Sequence, residues 1–292
     1  MSAILPISPL NDPMPHAHAS APIGIFDSGI GGLSVALEIA RYLPNERIVY
    51  FADTAHVPYG PRQDQDIRKL TAHAIEWLYR KGCKIAVVAC NTASAFSLDY
   101  LREHYGEKFP IVGLVPALKP AVLQTKSKVV AVLATPATFR GQLIKDVMHN
   151  FAEPAGVKVL NITCLDLVPY VEAGLQNTPE CHATLKTILQ PAVDQQADFL
   201  VLGCTHYPFL KNAIQDVFHN QLSMVDSGFA VARQTARMLI KHEVTAQQKD
   251  LNQPQLKCFV SGQNAEELKP IINRLIDSEI SWSIENLVDK LD

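Results

Sequence analysis

Two segments of this 292-residue sequence share one pattern, in which an apolar run ends in a cysteine and small polar residues follow. They are residues 85–94 and 199–206, with the thiols at Cys90 and Cys204. Open α/β sheets bind ligands at the carboxyl ends of their strands, and both thiols are predicted there. The repeated pattern suggests two acid/base groups on either side of one small substrate.

Three chemistries are compatible with these residues, because a thiolate can attack a carbonyl carbon, bind a metal or remove a proton. Cys204 and His206 could form the nucleophilic pair of a hydrolase, since residues two apart share one side of a strand. Cys90, Cys204 and His206 could bind zinc. Two opposed thiols could instead invert a stereocentre, one taking the α-proton while the other donates a proton to the opposite face.

The third chemistry explains more of the sequence than the other two. A hydrolase does not need the second thiol. A zinc site leaves several nearby hydroxyl and amide groups unused. These groups suit a carboxylate or an ammonium group better, and they belong to Ser28, Asn91, Thr92 and Thr205. We therefore favour proton transfer by two thiols.

Another candidate site residue follows the first predicted strand, residues 23–26. Asp27 opens a glycine-rich turn before a predicted helix over residues 33–43. The glycines permit a tight turn, and the helix start offers free N–H groups to an anion. The turn lacks the glycine spacing of a dinucleotide-binding site. Asp27 is interpreted either as a site acid or as an ordinary turn residue.

The elements that must position these residues alternate between strands and helices, which predicts an α/β fold with parallel sheets. The helix after Cys90 is predicted to start near Ala93, and residues 257–260 are predicted as the last strand. The Asp-Ser-Gly turn at residues 27–29 recurs at residues 226–228. These repeats indicate two similar halves that face each other.

Four further residues each have a structural interpretation. Thr135 precedes a proline and is predicted to cap a helix. Cys164 ends a strand, but no small polar residues follow it, so we expect it in the core. Glu172 is predicted as a solvated surface carboxylate near a helix end. Tyr59 either offers its hydroxyl and the nearby amides to a site or packs under a turn.

The composition excludes several classes of protein. The net charge is −3 without a basic cluster, and no apolar run approaches the roughly 20 residues of a membrane span. We therefore expect no nucleic-acid or membrane partner. Residues 1–21 lack a signal-peptide pattern and are interpreted as a flexible extension. Six cysteines without a Cys-x-x-Cys pair predict free thiols in a reducing cytoplasm and no structural zinc.

Four motifs in the same order and spacing resemble those of glutamate racemases, within the cofactor-independent aspartate/glutamate racemase superfamily. They are residues 23–33, 52–60, 89–94 and 203–208. The resemblance extends from about residue 22 to beyond residue 262. It implies an enzyme that needs no cofactor, interconverts L- and D-glutamate and supplies D-glutamate for peptidoglycan. It also implies two α/β domains with the active site between them.

The resemblance assigns roles to individual residues. The thiol that matches Cys90 deprotonates the D-isomer and the one that matches Cys204 deprotonates the L-isomer, while Asp27 and His206 assist. The implied substrate contacts are Asp27, Ser28, Tyr59, Gly60, Asn91, Thr92, Thr135, Thr138, Thr205 and His206. Within this set, the two threonines of the 135–138 turn are expected to hold the distal carboxylate. Asp53 and Glu172 also match family acids near the site.

The resemblance further implies how the chain is divided and assembled. One domain is expected over residues 22–115 plus 226–292, and the other over residues 116–225. A homodimer is expected, and a cell-wall precursor is a possible activator. An aspartate racemase and a binding protein for acidic amino acids remain as alternatives. The binding protein would tolerate alanine at both thiols, whereas a two-thiol racemase would not.

Overall fold

The computed structural model of the protein describes residues 18–262 and 264–287, and the expected extension at residues 1–21 lies outside these ranges except for residues 18–21. The strands of the described part are β1 (Ile23–Asp27), β2 (Ile48–Ala52), β3 (Ile85–Val88), β4 (Ile111–Gly113), β5 (Val129–Ala134), β6 (Lys158–Thr163), β7 (Phe199–Gly203), β8 (Ser223–Val225), β9 (Leu256–Val260) and β10 (Trp282–Asn286).

The helices of the described part connect these strands. They are α1 (Leu33–Tyr42), α2 (Asp64–Arg80), α3 (Asn91–Tyr105), α4 (Leu118–Gln124), α5 (Pro136–Arg140), α6 (Gln142–Val147), α7 (Leu167–Glu172), α8 (Pro179–Asp194), α9 (Lys211–Phe218), α10 (Gly228–Lys241) and α11 (Ala265–Leu275). Short 3₁₀ turns cover Gly106–Lys108 and Tyr207–Leu210, and a π-helical turn covers Met148–Ala152. None of the described helices combines the length and the apolar character that crossing a membrane requires.

The strands form two parallel sheets, which confirms the predicted α/β class. The first sheet has the order β10-β9-β2-β1-β3-β4, and the second has the order β6-β5-β7-β8. Every strand pair is parallel. In a parallel sheet all strands end at the same edge, so the residues that follow β1 and β3, or β5 and β7, are brought together.

Helices cover both faces of each sheet, which explains the apolar sequences of the central strands. All residues of β1, β2 and β3 are buried. One face of the first sheet packs against α1, α10 and α11, and the other packs against α2 and α3. Strands buried on both faces read as continuous apolar runs, which is why the sequence revealed them clearly.

The chain passes between the two sheets twice. It leaves the first sheet after β4, and it returns after β8 into α10, which packs against α1. The Ser227 hydroxyl donates a hydrogen bond of 2.6 Å to the Val115 carbonyl. This bond holds the two segments that connect the sheets side by side.

Two sequence predictions about elements were inaccurate. Residues 257–260 were predicted as the last strand, but β10 follows and pairs with β9. β10 is an edge strand of partly exposed residues, so its sequence lacks the apolar run of a central strand. The helix predicted to start near Ala93 starts at Asn91, because Cys90 occupies the N-cap position.

A buried ion pair supports the first sheet close to the start of β3. The side chains of Lys84 and Glu46 are 0% and 2% exposed, with 2.5 Å between Nζ and Oε2. Lys84 also donates hydrogen bonds to the carbonyl oxygens of Ala19 and Val244. The ammonium group therefore joins three separate stretches of chain.

We expect Lys84→Met to lower the free energy of unfolding by about 3 to 5 kcal/mol, because it leaves the Glu46 carboxylate buried without its partner. The matched control is Arg80→Met, which breaks the exposed Arg80–Glu76 pair and should cost less than about 1 kcal/mol. Urea unfolding of both variants measures the difference. Equal, small losses would show that the Lys84 pair contributes no more than a surface pair.

Candidate active site

A cavity of about 20 Å³ lies where the carboxyl edges of the two sheets meet. Its lining residues are Ser28, Val57, Pro58, Tyr59, Gly60, Cys90, Asn91, Thr92, Thr135, Val168, Cys204, Thr205 and His206. Ten of the twelve residues predicted for the site are in this set. The other two, Asp27 and Thr138, are buried directly behind it and contact lining residues.

Cys90 reaches the cavity from the first sheet. It follows β3 in extended conformation and caps α3, and its sulfur accepts a hydrogen bond from the Ala93 amide at 3.5 Å. The Ser28 hydroxyl lies 3.6 Å from the same sulfur. Burial raises the pKa of the Cys90 thiol well above its ordinary value, and the Asp27 carboxylate raises it further. The contacts with Ala93 and Ser28 lower this pKa and only partly offset the effect of burial.

Cys204 reaches the same cavity from the second sheet, just after β7. Its sulfur lies 3.6 Å from Nδ1 of His206, so the two side chains meet, although they do so in the turn after β7 and not on a strand. The Nε2 atom of His206 lies 2.5 Å from the carboxylate of Glu172. Burial lowers the pKa of His206, but the contacts with Cys204 and Glu172 outweigh it and leave this pKa well above its ordinary value. The imidazole is therefore positively charged beside the thiol.

The prediction that Glu172 is a solvated surface residue was wrong. Its side chain is only 11% exposed. Besides His206, it accepts a hydrogen bond of 2.9 Å from the Ile30 amide in the turn after β1. Glu172 ends α7 four residues after the buried Val168, so helical periodicity could have placed both on one face.

Asp27 ends β1 and is fully buried. One carboxylate oxygen accepts the Gly32 amide at 2.7 Å, and the other lies 3.4 Å from the Thr205 hydroxyl. Burial raises the pKa of Asp27 from 3.8 to about 6, although the positive charge of His206 and the Gly32 hydrogen bond act in the opposite direction. Asp27 thus shapes the turn and also contacts the candidate site.

Three hydroxyl groups form a chain across the boundary between the two sheets. The Thr92 and Thr135 oxygens are 2.8 Å apart, and the Thr135 and Thr138 oxygens are 2.9 Å apart. The predicted cap is confirmed, because the Thr135 hydroxyl also accepts the Thr138 amide at the start of α5. A substrate carboxylate could use all three as donors in place of these mutual contacts.

Tyr59 and Gly60 form part of the cavity wall, but the Tyr59 hydroxyl points away from it. This hydroxyl donates a hydrogen bond of 2.6 Å to the buried carboxylate of Asp53. A Cβ atom at Gly60 would lie 2.8 Å from Leu165 and 3.1 Å from Thr135, so a side chain would force the walls apart. The loop therefore offers its backbone, and not the Tyr59 hydroxyl, to a ligand.

Asn91 presents an unused acceptor in this wall. Its Oδ1 atom is buried and has no hydrogen-bond partner among the described residues. Buried polar atoms nearly always have a partner, so an orphan acceptor at a cavity indicates a ligand donor. An ammonium group is such a donor, and its charge would strengthen the bond.

Sequence reasoning missed several residues that complete the site. Val57, Pro58 and Val168 supply apolar wall. Val57 and Pro58 lie in the motif at residues 52–60, which could have indicated them, whereas the sequence around Val168 gave no sign of this role. The Ser34 hydroxyl donates a hydrogen bond of 2.9 Å to the Thr205 carbonyl, which fixes the second cysteine segment against α1 of the first sheet. Ser34 lies in the first turn of α1, a position that the glycine-rich motif could have indicated.

Asp27→Asn is expected to stabilise the protein at neutral pH. The folded-state pKa of Asp27 is raised, so its favourable contribution is complete below pH 3.8 and is lost as the pH rises to about 6. Above that pH the buried carboxylate is ionised and destabilises the fold. The neutral amide should therefore raise the free energy of unfolding at neutral pH by up to about 3 kcal/mol.

Urea unfolding between pH 4 and 8 tests this expectation, and the variant should lose the part of the pH dependence that lies near pH 4 to 6. Asp198→Asn is the control: burial raises the pKa of Asp198, but hydrogen bonds from Thr125, Ser127 and Lys126 together outweigh it and lower this pKa, the opposite of the shift at Asp27. A variant at Asp27 that is less stable than the wild type at neutral pH would contradict the assigned charge.

Residues 23–235 match the family model described as Asp/Glu/Hydantoin racemase. The chain is 56% identical to the glutamate racemase of Deinococcus radiodurans over 229 residues, which is 78% of both chains. It is 41% identical to the glutamate racemase of Ralstonia pickettii over 258 residues, covering 88% of this chain and 89% of the relative.

Solved structures give the same result. A glutamate racemase isoform of Bacillus anthracis superposes with a TM-score of 0.80 at 30% identity, covering 92% of this chain and 98% of the other. The Escherichia coli glutamate racemase in complex with L-glutamate and the activator UDP-MurNAc-Ala superposes with a TM-score of 0.78 at 33% identity, covering 91% and 98%. On this fold and these matches, the chain belongs to the Asp/Glu/hydantoin racemase family.

Proposed function

We propose that this protein is a glutamate racemase that interconverts L- and D-glutamate by proton transfer between two thiols, without a cofactor. The observation that carries the proposal is the placement of Cys90 and Cys204, which end strands of different sheets and line one cavity. Relatives and solved structures that bear this name support the choice of substrate.

In the proposed reaction each thiol acts once as a base and once as an acid. With D-glutamate, the Cys90 thiolate takes the α-proton, so the Cα–H bond breaks and an S–H bond forms. The Cys204 thiol then donates its proton to the opposite face of the carbanion. L-glutamate follows the reverse path. General acid/base catalysis of this kind requires both sulfurs within hydrogen-bond reach of one carbon.

Each thiol has an ionisable neighbour that can adjust its protonation. The carboxylate of Asp27 is on the Cys90 side and raises the pKa of that thiol, whereas charged His206 lies against Cys204. The two thiols are thus held differently, as alternating acid and base roles require.

The remaining wall residues suit an amino acid with two carboxylates. The free Asn91 acceptor would take the ammonium group. The hydroxyls of Thr92, Thr135 and Thr138 and the backbone at Gly60 would take the distal carboxylate. Charge that develops beside the reacting carbon is stabilised by preorganised donors such as the N-terminus of α3, where Asn91 and Thr92 lie.

We also propose a role for this reaction in the cell. D-glutamate from this reaction would supply peptidoglycan synthesis in the cytoplasm, and the functional unit would be a homodimer. The domains would comprise residues 22–115 plus 226–292 and residues 116–225, which assigns one sheet to each. The E. coli structure with its activator supports testing a cell-wall precursor as an activator of this protein as well.

The direct test is polarimetry of the purified protein with L-glutamate and, separately, with L-aspartate, without added cofactor. We expect the rotation to decay to zero with glutamate and to persist with aspartate. Decay with aspartate alone would assign the protein to aspartate. No decay with either, also in the presence of UDP-MurNAc-Ala, would favour a binding protein.

Replacement of single thiols tests the two-thiol mechanism. Cys90→Ser and Cys204→Ser should each lower kcat by at least about a thousandfold, because a serine hydroxyl is a far weaker acid than a thiol. Exchange of the α-proton with solvent deuterium should persist only for the isomer whose abstracting thiol remains. Cys164→Ser is the control, since Cys164 is a core residue as predicted and does not line the cavity. Equal loss of activity in this control would refute the pairing.

Glu172→Gln tests the charge on His206. Without the carboxylate the pKa of His206 should fall, since Glu172 is one of the groups that raise it. The alkaline limb of kcat for L-glutamate should therefore move to lower pH, with a smaller change for D-glutamate. Glu153→Gln, which removes the carboxylate of the exposed His149–Glu153 pair, is the matched control and should leave the profile unchanged. A profile that does not move in Glu172→Gln would show that His206 is not charged through this contact.

A further inference from the structure

We propose that Asp53 is a positioning residue, which anchors the loop of residues 54–60 so that the backbone at Tyr59 and Gly60 is held in place for the substrate. This inference rests on the proposed racemase function. The resemblance to the family placed Asp53 only as an acid near the site. The geometry gives it a different task from proton transfer.

Asp53 does not reach the reacting groups. Its side chain is 3% exposed and it is absent from the lining of the cavity. All of its described side-chain contacts are with groups that donate to it. A carboxylate saturated in this way and shielded from the cavity is poorly placed to exchange a proton with a substrate.

Three side chains from two parts of the chain converge on this carboxylate. The Tyr59 hydroxyl donates at 2.6 Å and the Ser261 hydroxyl at 2.7 Å. The Nδ1 atom of His56 lies 2.9 Å from Oδ1. Hydrogen bonds to a charged acceptor are stronger than those between neutral groups, so the carboxylate fixes both ends of the loop.

Ser261 joins this loop to the end of β9. Its hydroxyl also accepts the Ala55 amide at 3.1 Å, and the Gly262 amide donates to the Thr54 hydroxyl at 3.1 Å. A Cβ atom at Gly262 would lie 2.4 Å from the Ala55 backbone, so only glycine permits this approach. Ser261 and Gly262, near the end of the segment that resembles the family, therefore form the second half of the anchor.

The anchor determines where the substrate-facing backbone lies. The Tyr59 ring packs 6.1 Å from the Phe26 ring, and its hydroxyl is held by Asp53. With ring and hydroxyl both fixed, the peptide groups of Tyr59 and Gly60 have one position in the cavity wall. Contacts of this kind bind substrate and transition state alike, so their loss raises KM and leaves kcat nearly unchanged.

The test is a double-mutant cycle on full-length protein with Asp53→Asn, Tyr59→Phe and the pair. We expect each single variant to raise KM for glutamate roughly tenfold and to change kcat by less than about twofold. The KM of the double variant should be no higher than that of the single variant with the higher KM, because both changes break the same bond. Ser261→Ala leaves the bond from Tyr59 to Asp53 in place and should raise KM less, which keeps the test valid if Asp53→Asn folds poorly.

Hydrogen exchange of residues 54–60 provides a readout that does not depend on activity. Exchange there should accelerate in Asp53→Asn, Tyr59→Phe and Ser261→Ala. Asp198→Asn is the matched control, since Asp198 likewise accepts three donors but in a turn of the second sheet. It should leave both KM and the exchange of this loop unchanged.

The outcomes separate this inference from the proposed function. A wild type that does not racemise glutamate would refute the function, while loop exchange would still decide whether Asp53 is the anchor. Additive effects on KM in an active enzyme, or a fall in kcat at constant KM, would overturn the positioning role. Unchanged exchange in all three variants would overturn it as well.

Discussion

Burial of several ionisable groups around one small cavity is the constraint on which the site depends. Asp27 and His206 are fully enclosed, and Glu172 is nearly so. Removing charge from water is costly, so each group keeps its charge only through partners placed by the fold. The Gly32 amide supports Asp27, and the carboxylate of Glu172 supports His206. Asp27 and Gly32 belong to the first half and His206 and Glu172 to the second, so the four groups surround one cavity only where the two halves meet.

The same constraint makes the two thiols unequal. Cys90 has a carboxylate nearby and a raised pKa, whereas Cys204 has a charged imidazole. Similar sequence patterns therefore end in different electrostatic surroundings. The stability that the buried carboxylate of Asp27 costs at neutral pH fits the general trade between function and stability at active sites.

The sequence predicted the fold class and most of the cavity wall because both depend on local patterns. Apolar strands buried on both faces are easy to recognise, and the polar residues directly after them must meet at the sheet edge. What the sequence could not supply were contacts between distant segments. The hydrogen bond between Glu172 and His206 joins residues 34 positions apart. The hydrogen bond from Ser261 to Asp53 joins residues 208 positions apart. The edge strand β10 was missed because half-exposed strands lack a strong apolar signal.

The size of the cavity has a consequence for the timing of turnover. A volume of about 20 Å³ holds one or two waters and not an amino acid. Hydrogen bonds from Ser34 to Thr205 and from Ile30 to Glu172 join the two halves of the chain beside it. An amino acid therefore needs more room than the cavity has here, and the segments joined by these two hydrogen bonds are the ones that would have to move apart to admit it. The dependence of kcat on solvent viscosity would then report on opening and product release, and the effect of a deuterium label at the α-carbon would report on proton transfer. The slower of these two steps would set the rate.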